Sequence, residues 1–177
     1  MMNLPSSSFS AWRRAGVVTV LAATLALTGC GYNDFQRLDE QTKSSWSEVL
    51  NQYQRRADLV PNLVATVKGY AAHETETLQA VTEARAKVGS MQVNADILNN
   101  PQAMQQFEQA QSQLSGALSR LMVVVERYPD LKANQNFLAL QSQLEGTENR
   151  ISVARRDFIA AVATYNTEIR TFPGRIW

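Results

Sequence analysis

Apolar and polar positions alternate along most of this chain with the period of an α-helix. Residues 15–27, AGVVTVLAATLAL, form one uncharged run. From Tyr32 onward, apolar residues recur every three or four positions. Phe35, Leu38, Trp46, Val49, Leu50 and Tyr53 share a first helical stripe. Leu63, Val67, Tyr70, Leu78, Val81 and Val88 make a second. The third is the cleanest: Met104, Phe107, Gln111, Leu114, Leu118, Leu121, Val125 and Tyr128. The fourth, from Phe137 through Leu140, Leu144, Thr147, Ile151, Ala154, Phe158 and Ala161 to Tyr165, keeps its spacing over about four heptads.

Breaks between the stripes set the predicted boundaries. Pro61 lacks an N–H and belongs in a first helical turn, with Asp58 as its cap, which predicts a tight reversal at 57–60. Gly89 and Ser90 begin the end of the second helix, and 91–100 is a looser connection. Asn100-Pro101 pairs an N-cap side chain with Pro at the first helical position. Pro129 stops the third helix, Asn134 caps the fourth, and Pro173-Gly174 ends it. Helices of about 23 to 37 residues would be roughly 35–55 Å long. The expected fold is all-α: an elongated, antiparallel, up-and-down four-helix bundle, preceded by an N-terminal signal or anchor helix. The heptads also suit an intermolecular coiled coil, but short turns at 57–60 and 129–133 favour packing within one chain.

The N-terminal apolar run covers 13 residues, short of the roughly 20 that a membrane crossing needs. Its length suits the hydrophobic part of a secretory signal. Arg13-Arg14 before it reads as a positive flank. The neighbours Ala11-Trp12 and Ala15-Gly16 fit a twin-arginine signal poorly. Leu27-Thr28-Gly29-Cys30 follows at once and resembles a lipobox, with Leu27, Thr28 and Gly29 as the peptidase recognition residues. The Cys30 thiol is the expected lipid attachment point. The chain contains no other cysteine, which rules out an intramolecular disulfide. The expected division is a lipoprotein signal peptide, 1–29, and a helical domain, 30–177. An uncleaved single-pass anchor, or an ordinary signal peptide with an incidental cysteine, are the alternatives. Gly31, rather than aspartate, after the cysteine favours outer-membrane sorting in a bacterium with two membranes.

Composition adds exclusions. The chain of 177 residues is 45% hydrophobic and 19% charged, with 8 Gly and 5 Pro, which suits a folded helical domain. Its formal charge is +1. Arg13 and Arg14 are the only charged side chains in the first 29 residues, so the rest sits at about −1 by the same count. That balance carries no electrostatic footprint for nucleic acid.

Two stretches are more particular than generic helix. One runs Arg55-Arg56-Ala57-Asp58-Leu59-Val60-Pro61-Asn62-Leu63-Val64, then Val67-Lys68-Gly69-Tyr70-Ala71-Ala72-His73-Glu74. The other is Glu126-Arg127-Tyr128-Pro129-Asp130-Leu131-Lys132-Ala133, followed by Asn136-Phe137 and Glu148-Asn149-Arg150-Ile151. With Ala84-Arg85, Ala154-Arg155-Arg156, Tyr165-Asn166 and Phe172-Pro173, they resemble the LemA family from about Tyr32 to Pro173. The resemblance implies a membrane-anchored, extracytoplasmic helical bundle and no established enzymatic activity. It also includes a relative associated with magnetosome membranes. Phe158-Ile159 departs from the Tyr-Asn common in the family, and the family's short amphiphilic tail after Phe-Pro is not seen before Trp177.

Catalytic chemistry finds little support. A di-iron bundle needs Glu-x-x-His on two helices. His73 is the sole histidine, and Tyr70 stands three residues before it. Zinc lacks ligands for the same reason. Ser44, Ser45 and Ser47 show no nucleophile turn that would serve His73, and phosphate-cradling glycine loops are missing. His73-Glu74 reads as a surface or half-buried helix pair. No catalytic residue, metal or cofactor is expected.

Asn62, Glu148 and Arg150 remain as structural or binding candidates. Asn62 is placed to bond backbone groups at a helix start. Glu148 and Arg150 are placed to pair with Arg55, Arg56 or Asp58. Between Pro101 and Val125 the charges are Glu108 and Arg120 alone, so the outer face of that helix suits either solvent or a partner. The expected protein is a non-enzymatic envelope lipoprotein, held at the cell or outer membrane by acylated Cys30 on the periplasmic side. It would act as a spacer or dock for an unidentified envelope protein. A small-ligand or peptide groove near Asn62 and Glu148 is the competing expectation.

Overall fold

The stripes fold as helices, but one predicted break does not occur. The computed structural model describes residues 8–172 and Arg175, with the side chains of residues 8–32, apart from Gly16, left out. Leu27, Thr28, Gly29 and Cys30 therefore lie outside the residues whose side chains are described. Pro173, Gly174, Ile176 and Trp177 lie outside the described residues altogether. Helix α1 runs Ser8–Lys68, α2 Thr75–Gly89, α3 Pro101–Val125, α4 Pro129–Lys132 and α5 Gln135–Glu168. A 3-10 helix, Ala95–Asn99, sits in the 91–100 connection. Among the described residues there is no strand. None of the helices among them is long and apolar enough to cross a membrane.

The reversal expected at 57–60 is a correction. Helix α1 passes through Pro61 without stopping. A proline there cannot donate to the carbonyl four residues back, Ala57. That oxygen instead accepts the Arg85 Nε–H from α2, at 3.2 Å. Asp58 caps nothing; it accepts from Gln54 at 2.8 Å on the same helix. The chain turns over residues 69–74, so Leu63 and Val67 belong to α1, while Leu78 and Val81 belong to α2. Tyr70 and His73 fall in the turn and are exposed.

The other boundaries follow side-chain chemistry. Asn100 accepts from the Ala103 N–H at 3.1 Å, capping α3 with Pro101 as its first residue. Asn134 accepts from the Phe137 N–H at 3.0 Å and caps α5. Helix α3 ends at Val125, before Pro129. Pro129 opens α4, whose buried Leu131 packs into the core, so the expected turn at 129–133 is mostly helical.

Two compact units result. In residues 43–160, Val60, Leu63 and Val67 of α1 pack with Leu78 and Val81, Leu114 and Leu121, Leu131, and Phe137 and Leu144. A second core joins Trp46, Val49 and Tyr53 to Ile97, Phe107 and Ile151. Each large apolar side chain so buried contributes about 1.5–3 kcal/mol. Rising numbers on α1 meet falling numbers on α5: Trp46 touches Phe158, Tyr53 meets Arg155, and Arg56 meets Glu148. In the other unit, Phe35 and Tyr165 stack obliquely at 5.2 Å, near buried Leu38 and Ala161.

Candidate functional site

The two distinctive sequence stretches meet where the 69–74 turn faces the α3–α4 connection. Tyr128 is the hub. Its phenol oxygen lies 2.6 Å from His73 Nε2 and donates to Glu74 Oε1 at 2.9 Å. A hydroxyl carries one proton. With that proton directed at Glu74, His73 is the donor, and a neutral His73 holds its proton on Nε2. Glu74 also pairs with Arg127 Nη2 at 2.9 Å. Desolvation, then the hydrogen bond and charge of Glu74, raise the Tyr128 pKa, while Arg127 opposes them. Asn134 adds a tie: its amide nitrogen donates to the Tyr70 hydroxyl at 2.9 Å while its oxygen caps α5. Lys132 and Glu126 pair across α4.

This arrangement is a clasp of satisfied groups. His73 and Glu74 are turn residues held by Tyr128, correcting the expected helix pair. Ser47, one of the serines weighed against His73, bonds the Lys43 carbonyl. Among the described residues, no group of three His, Cys, Asp or Glu is placed to hold a metal ion.

A second polar centre lies inside the bundle of side chains. Arg56 is 2% exposed. Its Nη1 donates to Ser115 Oγ at 2.6 Å and Glu148 Oε1 at 2.9 Å. Its Nη2 donates to the Gln111 side chain at 2.6 Å and the Gln111 carbonyl at 3.2 Å. The guanidinium also sits 5.1 Å from the Tyr53 ring centroid, a cation–π contact. Glu148 thus reaches Arg56, one of the two arginines expected to pair with it. Arg150 is exposed, with no ion pair among the described residues. Asn62 is exposed within α1, where no helix starts, and its carbonyl accepts from Thr66. The polar residues Gln111 and Ser115 of α3 serve Arg56.

Two cavities stand out among the described residues. One, of about 500 Å³, lies between α2 and α3 beside Glu83, Lys87, Gly116 and Arg120. The other, of about 260 Å³, is walled by Trp46, Tyr53, Phe107 and Phe158, with Glu108 and Arg155 also lining it. Neither includes Asn62 or Glu148, so the groove expected there is not among them.

The family model of the LemA family matches residues 45–177. The chain belongs to the LemA family. Similar proteins include magnetosome protein MamQ 2 of Paramagnetospirillum magneticum, 29% identical over 89% of this chain and 64% of the relative. Another is protein LemA of Metamycoplasma hominis, 24% identical over 79% of this chain and 60% of the relative. The chain therefore spans less than two thirds of the length of these relatives. Within this LemA-family chain, the resemblance-bearing stretches supply Arg56, His73, Glu74, Arg127 and Tyr128. Phe158 and Ile159, where the family commonly has Tyr-Asn, line the smaller cavity. Sequence reasoning missed the Tyr128 clasp; its residues were in view, but nothing local joined positions 55 apart.

Proposed function

We propose that this LemA-family chain is a non-enzymatic, lipid-anchored protein of the bacterial envelope, its helical domain on the periplasmic side of the cell or outer membrane. The carrying observation is the chain's sole cysteine, Cys30, directly after Leu27-Thr28-Gly29 and a short uncharged run. Several acyl chains on one cysteine hold a protein durably, since each buried methylene contributes about 0.8 kcal/mol. In this reading the helices form an antiparallel, up-and-down four-helix bundle that serves as a spacer or docking surface for another envelope protein. The opposed run of α1 and α5 contacts supports that topology. The hydrogen-bonded clasp around Tyr128 supports a structural use of the family motifs.

Metabolic labelling with a fatty-acid analogue, followed by membrane fractionation, tests the anchor. Labelled wild type in the membrane fraction and unlabelled, released Cys30→Ser are expected. Unlabelled wild type that stays in the membrane would overturn lipidation in favour of a retained N-terminal anchor. Crosslinking in intact cells tests the docking role; a chain that captures no specific envelope protein counts against it.

A further inference from the structure

We infer that the cavity between α1, α3 and α5 is a binding site for a compact amphiphile with an apolar tail and a single carboxylate head. Its floor is made by Trp46, Tyr53 and Phe107, all buried, and its rim by exposed Glu108, Arg155 and Ile159. The aromatic rings are spread at an angle: Trp46 lies 5.9 Å from Phe107 at 71° and 5.1 Å from Phe158 at 52°. They leave a space of about 260 Å³. At roughly 30 Å³ per water-sized group, this admits about eight or nine such groups, the length of a medium-chain tail. A wholly apolar ligand would leave the rim unused. There Arg155 is oriented by a 2.9 Å hydrogen bond from its Nη1 to the Tyr53 hydroxyl. Its Nη2 faces Glu108 at 3.6 Å, too long for a good hydrogen bond. A planar guanidinium held on one side and loosely paired on the other presents donors to an incoming carboxylate. Glu108 is the competitor, and it makes the site weaker than Arg155 alone would.

The probe is octanoate labelled with ¹³C at the carboxyl, titrated into the purified full chain and followed by NMR and calorimetry. 1-Octanol serves as the neutral match. Saturable one-to-one octanoate binding is expected. Arg155→Gln should weaken octanoate at least tenfold and leave octanol unchanged. Glu108→Gln should tighten octanoate severalfold. Ile159→Trp, at an exposed position that keeps the fold, should narrow the rim and weaken both ligands. Octanoate uptake that never saturates, or that ignores all three substitutions, overturns the site. Equal weakening of octanoate and octanol by Arg155→Gln overturns the carboxylate assignment.

Discussion

Arg85 Nε donates to the main-chain carbonyl of Ala57 at 3.2 Å, and that carbonyl is the one Pro61 leaves without a helical donor. A proline inside a helix costs about 3 kcal/mol or more, part of it the lost hydrogen bond. Ala57 is buried, so water is a poor substitute. Arg85→Ala should therefore lower stability by about 1–3 kcal/mol, the range for an unpaired buried acceptor. Pro61→Ala restores the N–H, and in the Arg85→Ala background it should recover most of the loss. Denaturant unfolding of the two single variants and the double variant measures the coupling. Strictly additive effects would show that the two residues act independently.

Arg56 and Glu148 make a second test. Removing one partner of a fully buried pair costs roughly 3–5 kcal/mol. Glu148 is 44% exposed in its side chain, and solvent screening brings the expected cost of Glu148→Ala to about 1–3 kcal/mol. Glu148→Gln keeps an acceptor for Nη1 and should lose less. Thermal unfolding of the full chain reads both. An unchanged Tm for Glu148→Ala would mean that Ser115 and Gln111 suffice for Arg56.

Tyr128 links the clasp to pH. Desolvation and the Glu74 carboxylate raise its folded pKa above the ordinary 10.0. The folded state thus favours the protonated phenol. The resulting stability is complete below the unfolded phenol value and is lost as pH climbs through the raised folded one. Wild type should lose stability more steeply above pH 10.0 than Tyr128→Phe, which has no proton to give up there. Absorbance titration of the phenols should lose a late-ionising component in the same variant. Parallel pH profiles for the two proteins would argue against a raised phenol.

Asn134 both caps α5 and ties Tyr70. Replacing an Asn cap by Ala typically costs about 1 kcal/mol. Asn134→Ala should cost that, and speed hydrogen exchange at the Phe137 amide. Asn134→Asp keeps the capping oxygen and should protect the same amide. Equal exchange in both variants would place the cap elsewhere.

Helical periodicity was determined by the sequence alone, because a helical face is a local property with a fixed repeat. Leu114, Leu118, Leu121, Phe137, Leu144 and Ile151 are buried as that repeat requires. The Asn100 and Asn134 caps were equally legible, since donor and acceptor lie three residues apart. The Leu27-Thr28-Gly29-Cys30 run on which the proposed lipid anchor rests is likewise a local sequence pattern. Tertiary packing decided what Pro61 does: a proline ends a helix or is absorbed according to whether something else satisfies the stranded carbonyl. Here the donor is Arg85, 28 residues away on α2. Glu148 faced the same ambiguity between Arg55 and Arg56, resolved only when α1 and α5 were aligned and Arg56 turned inward. His73 and Tyr128 are 55 positions apart. Each looked like an isolated polar residue until the turn after α1 was set against the end of α3, because hydrogen bonds between distant segments form at a geometry that the packed cores impose.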